Sequence, residues 1–307
     1  MYLALALFAA TYVLMLVLPQ KRAFVALISA ALFVLLGILP INEIASVIDW
    51  NVLLMISGTM GIVSLFIDSG MPARMADIIL DKMPDVKWTI IALSVFAGVI
   101  SAFVDNVATV LMVAPVAMAI AKKFDINPVP MIISISMSSN LQGAATLVGD
   151  TTSIMLGGYA GMDFLDFFSF HGKPGLFWIV EIGALLTVFV LLWLFRKENM
   201  KTEAAEYTVV TDHLPTALLL GMIVLLILTS FFPDKPSYAN GLICVSLFAV
   251  GLLVNIFRNH NFSELRKPFM DIDYTTILLL TGLFIVIGGI LGGVFTATEG
   301  SAIAVVY

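Results

Sequence analysis

Seven stretches of mostly apolar residues, at about 1–18, 23–39, 50–69, 175–195, 214–232, 238–257 and 273–293, come close to the length that a helix needs to cross lipid. Crossing about 30 Å of hydrocarbon takes roughly 20 such residues, so the expected fold class is an all-α polytopic membrane protein. Composition agrees: of 307 residues, 61% are hydrophobic and 12% charged, against about half and about a quarter in a soluble domain. The net charge of -6 opposes binding to nucleic acid, whose phosphates call for basic neutralisation. The lone cysteine, Cys244, lies inside an apolar stretch and reads as a small buried residue. Met1 opens a long apolar run without a basic start or a cleavage site, so the first stretch is expected to be a retained helix.

Between residues 88 and 160 the pattern changes. Two long apolar segments are interrupted, the first by Asp105-Asn106 and the second by Ser138 to Gly143 and by Gly149-Asp150. Backbone in a bilayer must be hydrogen-bonded internally, so broken helices persist only where protein or a water-filled cavity surrounds them. Residues 88–122 are therefore read as a re-entrant hairpin and 128–160 as a broken helix. Basic residues gather on cytoplasmic loops. With the N-terminus outside, the cytoplasmic face receives Lys21, Arg22, Arg74, Lys82, Lys87, Lys122, Lys123, Arg196, Lys197, Lys201, Arg258, Arg266 and Lys267, and the outer face only Lys173 and Lys235. A single crossing by 88–122 would reduce that split from 13 against 2 to 7 against 8.

The run from Ile48-Asp49-Trp50 to Gly58 has a counterpart from Ile272-Asp273-Tyr274 to Gly282, and upstream ALISAALFVL from Ala26 matches GLICVSLFAV from Gly241. In the orientation above the two copies run in opposite senses, a signature of secondary transporters whose substrate sites lie between inverted repeats. Residues 1–195 form the first repeat, 196–213 a cytoplasmic linker and 214–307 a partial second repeat. The second copy stops before a hairpin; a symmetric one needs roughly another 120 residues, judged from Gly70 to Arg196, so a fragment or truncated copy is expected.

Asp105 and Asp150 are the ionisable groups within the interrupted segments. A carboxylate at membrane depth costs on the order of 2.5–3.5 kcal/mol, which marks it for function. Helix capping is the competing explanation for both, and the two are compatible. Facing one cavity, their repulsion would favour uptake of a proton. Asn106, Thr109, Ser139, Asn140 and Thr146 add oxygen ligands suited to a sodium ion, with Asp105, Asn106, Asn140 and Asp150 as its direct ligands. Gly143 and Gly149 read as bends, Gly157 and Gly158 as packing residues. His171, His213 and His260 fall in predicted loops, which leaves soft-metal binding without support, and no cofactor is indicated.

The stretches SAFVDNVATVLMVAPV (101–116) and SSNLQGAATLVGDTTSIM (138–155) resemble the ion transporter superfamily. The branches most similar are the arsenite permease, the melanosomal P protein and the NhaD-type sodium/proton antiporters, with citrate and divalent-anion symporters more distant. The resemblance implies a hairpin tip at Asp105, Asn106 and Thr109, and a helix break at Ser139, Asn140, Gly143, Thr146, Gly149 and Asp150. Together these make half of an ion and substrate site in a homodimer of the cell (inner) membrane. Anion symporters carry a neutral Ser-Asn-Thr where this chain has Asp105-Asn106-Val107, which tilts the expectation toward cation or proton exchange, or an arsenite-type permease. Gly149-Asp150-Thr151-Thr152 looks like the antiporters and not like the Gly-Asp-Pro-Pro of the P protein. The final GGVFTATEGSAIAVVY resembles the large membrane subunit of tripartite dicarboxylate transporters.

The expected function is secondary transport of an ion or small anion, coupled to protons or sodium, with citrate- or dicarboxylate-type symport as the alternative. An intramembrane aspartyl protease also needs two acids in the bilayer. Leu147-Val148-Gly149-Asp150 lacks the second glycine of that motif, and no Pro-Ala-Leu stretch occurs. A channel or an inactive truncated membrane protein is the third class, separated from the first by flux measurements.

Overall fold

The computed structural model describes residues 2–198, 200, 208–232, 234–259 and 266–291. His260, the middle of the predicted linker and the 292–307 stretch lie outside the described residues.

Capping residues and chain breakers set where the helices start and stop. α1 (Tyr2–Val17) stops at Leu18-Pro19, since proline cannot continue the hydrogen-bond ladder, and α2 (Arg22–Leu35) turns back by 115°. Thr11 Oγ1 donates to Ser29 Oγ at 2.7 Å across this pair. Gly37, at φ 68°, terminates α2 earlier than the apolar pattern implied. After the short α3 (Ile44–Val47), the Asp49 carboxylate accepts from Val52 N at 3.1 Å and caps α4 (Trp50–Asp68). α5 (Met71–Lys82) leads to α6 (Val86–Ser101), α7 (Asn106–Lys123), α8 (Pro128–Gly143) and α9 (Thr151–Ala160). Side chains of Asp85, Asp105, Asn127 and Asp150 cap the last four. A two-stranded antiparallel turn, β1 (Ser169–Phe170) with β2 (Lys173–Pro174), precedes α10 (Leu176–Leu194). The chain continues through α11 (Leu214–Thr229), α12 (Ala239–Asn259), α13 (Arg266–Met270) and α14 (Tyr274–Leu291).

Among the described residues three helices, α4, α10 and most of α12, are long and apolar enough to cross a membrane. The other predicted spans are helical but shorter. At about 1.5 Å per residue the 14 residues of α2 reach about 21 Å, so its flanking residues or a thinned bilayer must complete the crossing. The chain is a multi-pass helical membrane protein. Two thirds of the α4 span is buried (67%) and little of α10 (11%), which leaves α10 facing outward along most of its length.

The helices sort into two units. In the first, which we call the support, Asn51 and Leu54 of α4 lie against Gly241, Gly58 against Cys244 and Val245, and Gly61 against Phe248, so α4 and α12 run parallel. Gly282 lies against Ala26 and Leu27, and Gly289 against Phe33, so α2 and α14 are parallel too. Val47 touches Gly288 while Ser64 Oγ donates to Asp271 Oδ2 at 2.6 Å, which sets α4 and α14 antiparallel. It follows that α2 and α12 also run in opposite directions. α1 and α11 flank this group.

The second unit is built around α8. α6 runs parallel to it, with Gly98 against Gln142, and α7 runs antiparallel, with Asn106 beside Asn140 and Ile120 clustered with Met131. α6 and α7 are thus a hairpin whose two base ends meet α5 and the end of α10, as Val86, Ile120 and Phe195 share one cluster. Its tip packs on Ala145 and Val180.

Tracing these directions puts Lys21, Arg22, Arg74, Lys82, Lys87, Lys122, Arg196, Lys197, Arg258 and Lys267 toward the base end, and Lys173 and Lys235 toward the tip end. Lys267, outside the spans, pairs with Asp68, and that hydrogen bond holds its ammonium above the ordinary lysine range.

Candidate functional site

Two helix breaks cross where the hairpin tip (102–105) meets the interruption between α8 and α9 (144–150). The crossing is tight enough to demand glycine: a Cβ on Gly149 would sit 2.5 Å from the Gly143 carbonyl oxygen and 2.7 Å from that of Ser101. Thr146 Oγ1 donates to the Ala102 carbonyl and stitches one break to the other. Ser153 Oγ donates to the Gly143 carbonyl at 3.3 Å. Backbone groups freed by the breaks are therefore partly satisfied by local hydroxyls, as burial requires.

Both acids cap a helix. Asp105 Oδ2 accepts from Ala108 N at 3.1 Å. Asp150 accepts from Thr151 N at 2.7 Å and from Thr152 Oγ1 at 3.0 Å. The two N-termini so formed favour negative charge beside them. Asn106 Nδ2 donates to Asn140 Oδ1 at 2.5 Å, and Ser139 Oγ lies within hydrogen-bond reach of Ser101 Oγ (3.0 Å) and the Asn106 carbonyl (3.1 Å). Thr109 is fully buried, and its hydroxyl has no hydrogen-bond partner among the described residues.

Asp105 and Asp150 line the same cavity, together with Val148, Gly149, Thr151 and Ile154. The facing wall is α4, through Ile56, Thr59, Met60 and Val63. The space is about 20 Å³, enough for roughly one water. None of its lining residues is Lys, Arg or His. Its ionisable lining groups are the two carboxyls of Asp105 and Asp150.

Of the residues expected from sequence, Asp105, Gly149 and Asp150 line the cavity. Asn106, Ser139 and Asn140 form a hydrogen-bonded chain beside it, and Gly143 and Thr146 shape the crossing. Among the described residues no group of three or more His, Cys, Asp or Glu is arranged for a metal ion. His171 sits in the β1–β2 turn and His213 at the start of α11, both exposed. Cys244 is buried in α12. Gly157 and Gly158 press against Leu147 and Val52, a packing role. Sequence reasoning missed Thr59 and the α4 wall, because one hydroxyl within an apolar span, bonded to its own Met55 carbonyl at 2.5 Å, carries no pattern.

The profile of the family described as a citrate transporter (CitMHS) matches residues 12–304. An uncharacterized transporter of Mycobacterium tuberculosis is 28% identical over 304 residues, covering 94% of this chain and 68% of that protein. The 46 kDa membrane protein of Mycobacterium leprae is 28% identical over 300 residues, with the same shares of 94% and 68%. The P protein of Sus scrofa is 28% identical over 160 residues, 50% of this chain and 19% of that one.

Proposed function

The chain belongs to the CitMHS citrate transporter family of the ion transporter superfamily, and we propose that Asp105 and Asp150 together bind a proton or a sodium ion that drives a small carboxylate cargo. The observation that carries this is the shared cavity: two carboxylates, no basic side chain, and room for one water-sized occupant. An anion with several negative charges is repelled there, so a positive ion must neutralise the acids first. The reading assigns this small space to the coupling ion. Placing citrate-class cargo ahead of arsenite reverses the order expected from the hairpin-tip motif, on the strength of the family.

The reading takes α2–α4 and α12–α14 as inverted repeats. In support, α2 and α12 run in opposite directions, α4 and α14 do likewise, and each helix of one pair packs parallel to the non-equivalent helix of the other. That pattern is what a two-fold axis in the membrane plane generates. The gathering of Lys and Arg at the base end supports a cytoplasmic base and an outer N-terminus. Residues 1–195 then form one repeat and 214–307 part of the next, working as a homodimer.

A second reading, sodium/proton antiport without a carboxylate, is favoured by Asp150-Thr151-Thr152 beside Asp105. Flux in reconstituted vesicles tests both. Labelled citrate uptake should depend on a pH or sodium gradient and fall on the order of tenfold in Asp105→Asn and in Asp150→Asn. Asparagine caps a helix about as well as aspartate, so folding should survive. Undiminished flux in both variants overturns the assignment; gradient-driven sodium flux without citrate uptake favours the antiporter.

A further inference from the structure

We propose that the Lys235–Asp163 ion pair is a latch that holds the tip end of the hairpin unit closed against the support helices. The inference rests on the reading above, because the latch controls access to the same cavity. Lys235 lies in the connection from α11 to α12, and Asp163 lies two residues beyond Gly161, which ends α9. Lys235 Nζ donates to Asp163 Oδ1 and, at 3.3 Å, to the Thr229 carbonyl. The side chains are mostly shielded, at 17% and 27% exposure.

Each partner is fixed from behind. Asp163 N donates to Asp166 Oδ2 at 2.7 Å, and the Asp163 side chain accepts from the Asp166 backbone in return. On the other side, Thr229 Oγ1 contacts Asn240 Oδ1 at 3.3 Å, and Gly241 N donates to Asn51 Oδ1 at 2.8 Å. The pair thus joins the segment after α9 to a network binding the ends of α11, α12 and α4. The ion pairs Arg258–Asp212 and Lys267–Asp68, by contrast, both lie at the base end, beside helices of the support.

α9 links the latch to the site. Its 10 residues make a strut of about 15 Å, with Asp150 at one end and the latch segment just past the other. A Cβ on Gly158 would lie 2.4 Å from Val52 and 2.7 Å from Asp49 Oδ2, so α9 is seated directly on α4. A swing that opens the cavity toward the tip end would unseat this contact and the packing of Phe164 and Phe167 on the core shared by α4, α11 and α12, and would break the ion pair.

Distances between spin labels on Lys173→Cys and Ser237→Cys, both exposed, test this in lipid nanodiscs. Cys244, buried, takes no label. The parent should give one narrow distribution. Lys235→Met and Asp163→Asn should each raise a longer-distance population on the order of fivefold, the upper range for a shielded pair, and Lys235→Arg should keep the parent distribution. Unchanged distances in both charge-removing variants overturn the latch, as does an Arg variant that behaves like Met. The readout requires no cargo, so it stands apart from the flux test of Asp105 and Asp150.

Discussion

The two acids show how one residue can serve fold and function together. Asp105 and Asp150 each end a break by capping the next helix, and each turns its remaining charge toward a common space. They were legible in the sequence because a carboxylate inside an apolar run is expensive and stands out. Thr109 and Asn140 were legible as oxygen-bearing side chains close in sequence to the interruptions. Thr59 was not legible, since its environment comes from α4 facing residues far away in the chain. At Gly149 the demand is steric. Gly149→Ala would press a methyl group against three carbonyl oxygens, and overpacking of this kind destabilises by about 1–3 kcal/mol. Thermal unfolding in detergent should show a lower midpoint for Gly149→Ala than for the parent.

At the scale of elements, close helix packing depends on which glycines face a neighbour. Gly58 and Gly221 stand in equally apolar helices and look alike in sequence. In the fold a Cβ on Gly58 would lie 2.4 Å from the Cys244 carbonyl carbon, while around Gly221 nothing lies within 4 Å. Gly58→Ala should therefore destabilise by about 1–3 kcal/mol by parting α4 from α12. Gly221→Ala should be neutral or stabilise by up to about 1 kcal/mol through helix propensity. Equal unfolding midpoints for the two variants would refute the packing argument. The hairpin was legible as an interruption at Asp105-Asn106, but its pairing with α8 was not, because residues 101 and 139 meet only through tertiary contact.

At the scale of the whole molecule, the site lies where a unit that supplies the polar groups meets a support that supplies a largely apolar wall. The hairpin makes a topological prediction. Cysteines at Lys82 and Lys122, at the two ends of the hairpin base, should react with a membrane-impermeant reagent from the same side, and one at Lys173 from the other. Labelling of the first two from opposite sides would mean that 88–122 crosses outright. Sequence alone determined that the chain is helical and membrane-embedded, where its polar breaks fall, and which acids interrupt them, because hydrophobic length and the desolvation of charge are properties of local composition. Only the tertiary structure decided that the two breaks cross, that both acids share one cavity walled by α4, and which glycines bring helices together. Those relations join residues tens to hundreds of positions apart, and nothing in local hydropathy encodes which apolar faces meet.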